Sequence, residues 1–147
     1  MSAYRTVVVG TDGSDSSLRA VEKAGSIAGA NATLIVATAY LPQNEDVRAA
    51  DALKDESYKV SGSAPIYAIL REAKERAEKA GAANVEERSI VGAPVDALVE
   101  LAEEVGADLL VVGNVGLSTI AGRLLGSVPA NVSRRAKVDV LIVHTTT

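Results

Sequence analysis

Short runs of β-branched residues, each closed by a glycine or a turn, recur along this chain with helix-spaced stretches between them. Tyr4 to Gly10 is one such run, ending in Gly-Thr-Asp-Gly, and Thr33 to Tyr40 is a second. Val85 to Val91 alternates polar and apolar residues and predicts a third strand; Asp108 to Gly113 and Val138 to His144 predict a fourth and a fifth. Between the first two, Leu18, Val21, Gly25 and Ala28 share one helical face behind Ser14, a good N-cap. Ile66, Ile69, Leu70, Ala73, Ala77 and Ala80 line a second helix, with Pro65 in its first turn and Gly81 as its stop. Val95, Leu98, Ala102 and Val105 line a third, which Pro94 opens and Asp96 complements at the positive end of the dipole. Ser127 to Ala136 predicts a fourth. Strands alternating with helices predict an α/β fold: a parallel sheet with helices on both faces and right-handed crossovers. Such sheets bind ligands beyond the carboxyl ends of their strands, where the strand order reverses.

Size and composition narrow the rest. With 147 residues, 48% hydrophobic and 23% charged, the chain is expected to form one domain over 1–147 with a core of ordinary size. No Cys is present, which excludes disulfides and thiolate metal sites, and the lack of a secretory apolar segment after Met1 points to the cytoplasm. Apolar runs such as Leu109 to Val112 are far shorter than the ~20 residues a membrane span needs. A net charge of -4, no Phe, no Trp and a basic group limited to Arg134, Arg135 and Lys137 argue against a nucleic-acid partner. Leu41 to Ala64 matches no element and is expected to be a flexible loop, with a lid over the site as the alternative.

Chemistry concentrates after the fourth run. Gly113 is followed by Asn114, Val115 and Gly116, and after nine further residues by Gly126, Ser127 and Val128. Glycines that leave the backbone bare, beside a serine able to open a helix, suit the capture of a phosphate chain. Each has a plainer reading as well: Gly113 and Gly116 as turn residues, Ser127 and Asp12 as helix caps, Arg123 as a solvated charge, His144 as a surface or edge residue. The lysine that follows the last glycine of a Walker A loop is absent. No nucleophile stands beside a candidate base, so neither a catalytic nor a metal site is expected.

Four segments together carry a family resemblance. Val8-Val9-Gly10-Thr11-Asp12-Gly13-Ser14, Val91-Gly92-Ala93-Pro94, Ala107-Asp108-Leu109-Leu110-Val111-Val112-Gly113 and the pattern Gly-x2-Gly-x9-Gly-Ser resemble the universal stress protein family, in its ATP-binding branch. The resemblance implies a Rossmann-like sandwich whose five-stranded sheet has the order 3-2-1-4-5. It also implies a homodimer through the last strand, at Val138, Val140, Leu141, Ile142 and Val143. Carried over by position, Gly113, Gly116, Gly126 and Ser127, with the Val128 N–H, meet the phosphates. Asp12 lies near the ribose, and backbone groups of Gly10, Thr11, Thr38 and Ala39 lie near the adenine. Asn114 and Arg123 complete the expected nucleotide site. Asn114 stands where Ser is common and Val115 where a basic or polar residue is frequent, so a charged contact to outer phosphates is missing. ATP, with Mg beside it, is therefore joined as expected ligand by cyclic AMP and AMP. Three functions remain open on the sequence: a dimeric adenine-nucleotide-binding protein of stress response, signalling or nucleotide sequestration; a slow ATPase or autophosphorylating protein, with Ser127, Ser118 or Thr119 as acceptor; and a dimeric interaction module without nucleotide.

Overall fold

The computed structural model describes residues 4–40, 66–114 and 132–144. In chain order these form β1 (Thr6–Gly10), α1 (Asp15–Ala28), β2 (Thr33–Tyr40), α2 (66–79), β3 (Asn84–Val91), α3 (Pro94–Val105), β4 (Leu109–Gly113), a helical turn over 132–135 and β5 (Asp139–Val143). The sheet has the order β3-β2-β1-β4-β5 and every neighbouring pair is parallel. This is the fold and strand order that the sequence and the resemblance implied. The segments 41–65 and 115–131, which hold the expected loop and the start of the fourth helix, lie outside the described residues.

Two apolar layers sandwich the sheet. Val7 and Val9 of β1, with Leu34, Val36, Leu109 and Val111, pack against Leu18, Val21 and Ala24 of α1 and Leu70, Ala73 and Ala77 of α2. Val8, Ile35, Leu110 and Val112 point the other way, toward Leu98, Leu101 and Ala102 of α3 and toward Val132. Strand side chains alternate faces, so an unbroken β-branched run supplies both layers at once, as a strand covered on both sides must. By contrast β3, at the sheet edge, alternates exposed and half-buried positions. An exposed ion pair from Arg135 to Asp96 joins the 132–135 turn to the first turn of α3.

Strand ends differ from the sequence reading by one or two residues, and the reason is chemical. The first strand begins at Thr6 rather than Tyr4, and the fourth at Leu109 rather than Asp108. Both boundaries are set by the Asp108 carboxylate, which accepts the N–H groups of Arg5 at 3.0 Å and Thr6 at 3.0 Å. A side chain there takes the place of ladder bonds. Tyr4 turns away, donating its hydroxyl to Asp139 Oδ2 at 2.9 Å. The third strand gains Asn84, the fifth ends at Val143, and Ala136 lies beyond the helical turn. Ser14 caps α1 as expected, its side chain accepting from Ser17 N–H at 3.2 Å.

Partial burial works to raise the Asp108 pKa, but the hydrogen bonds from Arg5, Thr6 and its own N–H, together with the Arg5 charge, act the other way and hold it below the usual 3.8. The folded value is then below the unfolded one, so this stabilisation is present above the unfolded value and is lost as pH falls through the folded one. Asp108→Ala, which strands two N–H groups, is expected to cost about 1–3 kcal/mol at pH 7. Urea unfolding at pH 7 and again below about pH 4 should show this deficit shrinking in acid; an equal deficit at both would contradict the clamp.

Where α1 crosses α2, a Cβ added to Gly25 would lie 2.6 Å from the Ala77 carbonyl oxygen. Glycine-to-alanine in a helix interior ordinarily gains about 1 kcal/mol. Overlap with backbone, which cannot swing aside as a side-chain tip can, reverses that sign. Gly25→Ala should lower stability by about 1–3 kcal/mol; an unchanged or higher urea midpoint would show that the two helices can part without loss.

Candidate functional site

Strand β1 connects through α1 to β2 on one side and lies against β4 on the other, so the strand order reverses between β1 and β4. Connections leave the sheet in opposite directions there, opening a crevice beyond the strands' carboxyl ends. Gly10, Thr11 and Asp12 sit at that end of β1. Thr38 and Ala39 sit on β2, one and two residues past Ala37, the register partner of Gly10. Gly113 and Asn114 sit at the end of β4, where Gly113 pairs with Val143. These expected residues are thus gathered along one edge of three adjacent strands. Gly116, Arg123, Gly126, Ser127 and Val128 lie outside the described residues.

A hydrogen-bond network fixes the loop after β1. The Thr11 N–H donates to the Ala37 carbonyl at 2.9 Å, extending the sheet by one residue. Thr11 Oγ1 accepts the Gly13 N–H at 3.0 Å and lies 2.7 Å from Ser17 Oγ. Ser17 Oγ donates its one proton to the Ser14 carbonyl at 3.0 Å, so Thr11 is the donor between the two hydroxyls. Asp12 Oδ1 accepts the Ser14 N–H at 2.9 Å, an Asx turn. The N–H groups of Ser14 and Ser17, at the cap and in the first turn of α1, are therefore taken by the loop's own side chains. Asp12 plays the local turn role that an aspartate before a helix commonly takes.

Gly10 and Gly113 explain themselves differently from most glycines. Both are paired strand residues, and neither is among the described glycines with positive φ, which are Gly13, Gly29, Gly81, Gly92 and Gly106. The turn-residue explanation therefore fails for Gly113: the backbone there suits any residue. What glycine supplies at these two strand ends is the absence of a side chain beside the crevice, which lets another group approach the main chain. The Asn114 N–H donates to Val143 at 2.8 Å and its Nδ2 lies 3.4 Å from His144 Nδ1, so the first loop residue is tied to β5.

Sequence reasoning missed Ser17. Its helical position carries no ligand chemistry, and only the depth of its hydroxyl, with the side chain 1% exposed, reveals its part in the loop. At the other pole of the sheet an apolar groove of about 440 Å³ is lined by Tyr4, Ile27, Leu109, Asp139, Val140 and Leu141. Its polar groups, Tyr4 and Asp139, are bonded to each other, so it lacks convergent donors and acceptors for a small molecule. Among the described residues no cluster of three His, Cys, Asp or Glu could hold a metal, and no helix is long and apolar enough to cross a membrane. Of the residues expected at a dimer seam, Ile142 is exposed, Val138, Val140 and Leu141 are half-buried, and Val143 belongs to the core.

A doubly wound parallel sheet, with bare-backbone strand ends and a Thr-Asp-Gly loop at its switch point, defines an α/β protein of the Rossmann-like type. The universal stress protein family model matches residues 3–144, and the chain belongs to that family. It is similar to Universal stress protein Rv1636 of Mycobacterium tuberculosis H37Rv, with 82% identity over 99% of this chain and 100% of that one. A crystal structure of a universal stress protein in complex with cAMP is 68% identical, with a TM-score of 0.76 over 99% of this chain and 100% of that one. The protein MJ0577, 23% identical with a TM-score of 0.73 over 98% of each chain, shares the fold.

Proposed function

We propose that this chain is a cytoplasmic, single-domain adenine-nucleotide-binding protein, with cyclic AMP as the ligand its site favours and ATP as a second ligand. The observation that carries the reading is that two extended-backbone glycines, Gly10 and Gly113, end the neighbouring strands β1 and β4 at the switch point, one register step apart. A 68% identical universal stress protein solved with cAMP supports it. Asn114 and Val115 bring no positive charge to the start of the glycine loop, which suits the single charge of a cyclic phosphodiester better than the several charges of a triphosphate. Asp12 accepts from the ribose, Thr38, Ala39, Gly10 and Thr11 border the adenine, and Gly113 gives the phosphate room. Gly116, Gly126, Ser127 and Val128 supply its donors, with Asn114 and Arg123 beside them. Mg enters only with ATP. In this reading the protein senses or sequesters nucleotide in a stress or signalling role, as a dimer paired along the outer edge of β5.

Calorimetry tests the site. Wild type should bind cAMP, and Gly113→Ala should weaken binding about tenfold or more by placing a methyl group where the ligand approaches; equal affinity in the variant would remove the β4 end from the site. Release of phosphate from ATP above a Ser127→Ala control would favour the slow-ATPase reading instead.

Sedimentation tests the assembly. Ile142→Lys puts a charge on the exposed face of β5 and should turn dimers into monomers; dimers that persist in the variant would place the seam elsewhere.

A further inference from the structure

Ser17 is buried and saturated: its hydroxyl donates to the Ser14 carbonyl at 3.0 Å and accepts from Thr11 at 2.7 Å and from the Asp12 N–H at 3.3 Å. Its own N–H donates to Ser14 Oγ at 3.2 Å. One side chain from inside α1 thus holds the residues on both sides of the loop's apex. Asp12 is gripped twice, at its N–H by Ser17 and at Oδ1 by the Ser14 N–H at 2.9 Å. The Asp12 carboxylate is thus held by the Ser14 N–H, while Ser17 holds the Asp12 N–H on one side of it and the Ser14 carbonyl on the other.

We propose that Ser17 is a positioning residue that makes the site read a ribose 2′-hydroxyl through Asp12. The inference rests on the nucleotide reading above. In a 3′,5′-cyclic nucleotide the phosphodiester ring takes the 3′ and 5′ oxygens, so the 2′-hydroxyl is the one ribose donor left for a carboxylate. A carboxylate oriented in advance gains that hydrogen bond without losing rotamer freedom, whereas a loose one loses part of it to ordering. Removing the Ser17 hydroxyl leaves the Thr11 O–H and the Asp12 N–H without their acceptor and lets the loop relax.

Titration calorimetry with cAMP and with 2′-deoxy-cAMP, on protein shown folded by circular dichroism at the same temperature, separates this role from simple support of the fold. Ser17→Ala should weaken cAMP about five- to tenfold and leave 2′-deoxy-cAMP within about twofold of wild type. Ser17→Cys, which keeps the side chain's shape but replaces the hydroxyl with a weakly hydrogen-bonding thiol, should give the same pattern and serves if Ser17→Ala does not fold. Equal weakening of both ligands, or of neither, overturns the proposal while leaving nucleotide binding intact. Failure of wild type to bind cAMP overturns the nucleotide reading itself, and this inference with it.

Discussion

Everything at the crevice depends on how β1 is held between β2 and β4. Its three central valines are fully buried and paired in register on both sides, Val8 with Ile35 and Leu110. Because parallel strands must end at the same level for their loops to meet, this registry places the Gly10 turn, the Thr38 shoulder and the Gly113 turn at one edge. At the other pole the Asp108 carboxylate takes the N–H groups of Arg5 and Thr6 and closes the β1–β4 pair. A shift of one residue would turn every valine to the wrong apolar layer.

The two glycines then make sense as a pair. A side chain at either strand end is compatible with the backbone, and the sequence omits it twice, on neighbouring strands, at the point where connections diverge. The loop after β1 is bonded from within, with Thr11, Asp12, Ser14 and Ser17 partnering one another.

Much of this was legible in the residues. Runs such as Val7 to Val9 and Leu109 to Val112 announce buried strands because both faces need apolar cover, and Pro94 and Ser14 mark helix starts by their backbone chemistry. Strand order came from the resemblance alone, since periodicity does not say which strands are neighbours. Boundaries failed where a distant side chain replaced ladder bonds, as Asp108 does for Arg5 and Thr6, a contact spanning about a hundred residues. Ser17 escaped notice because a serine in a first helical turn looks like any other until its burial is known. For Gly113 the turn explanation with positive φ does not hold, and only the paired geometry distinguishes a bent glycine from a bare one.

The central claim, that the crevice at the β1–β4 switch receives an adenine nucleotide, is tested most directly by backbone amide NMR during titration with cAMP. The account predicts shifts concentrated at Gly10, Thr11, Asp12, Thr38, Ala39, Gly113 and Asn114. Shifts centred instead on Tyr4, Ile27 and Asp139, at the opposite pole of the sheet, would contradict it.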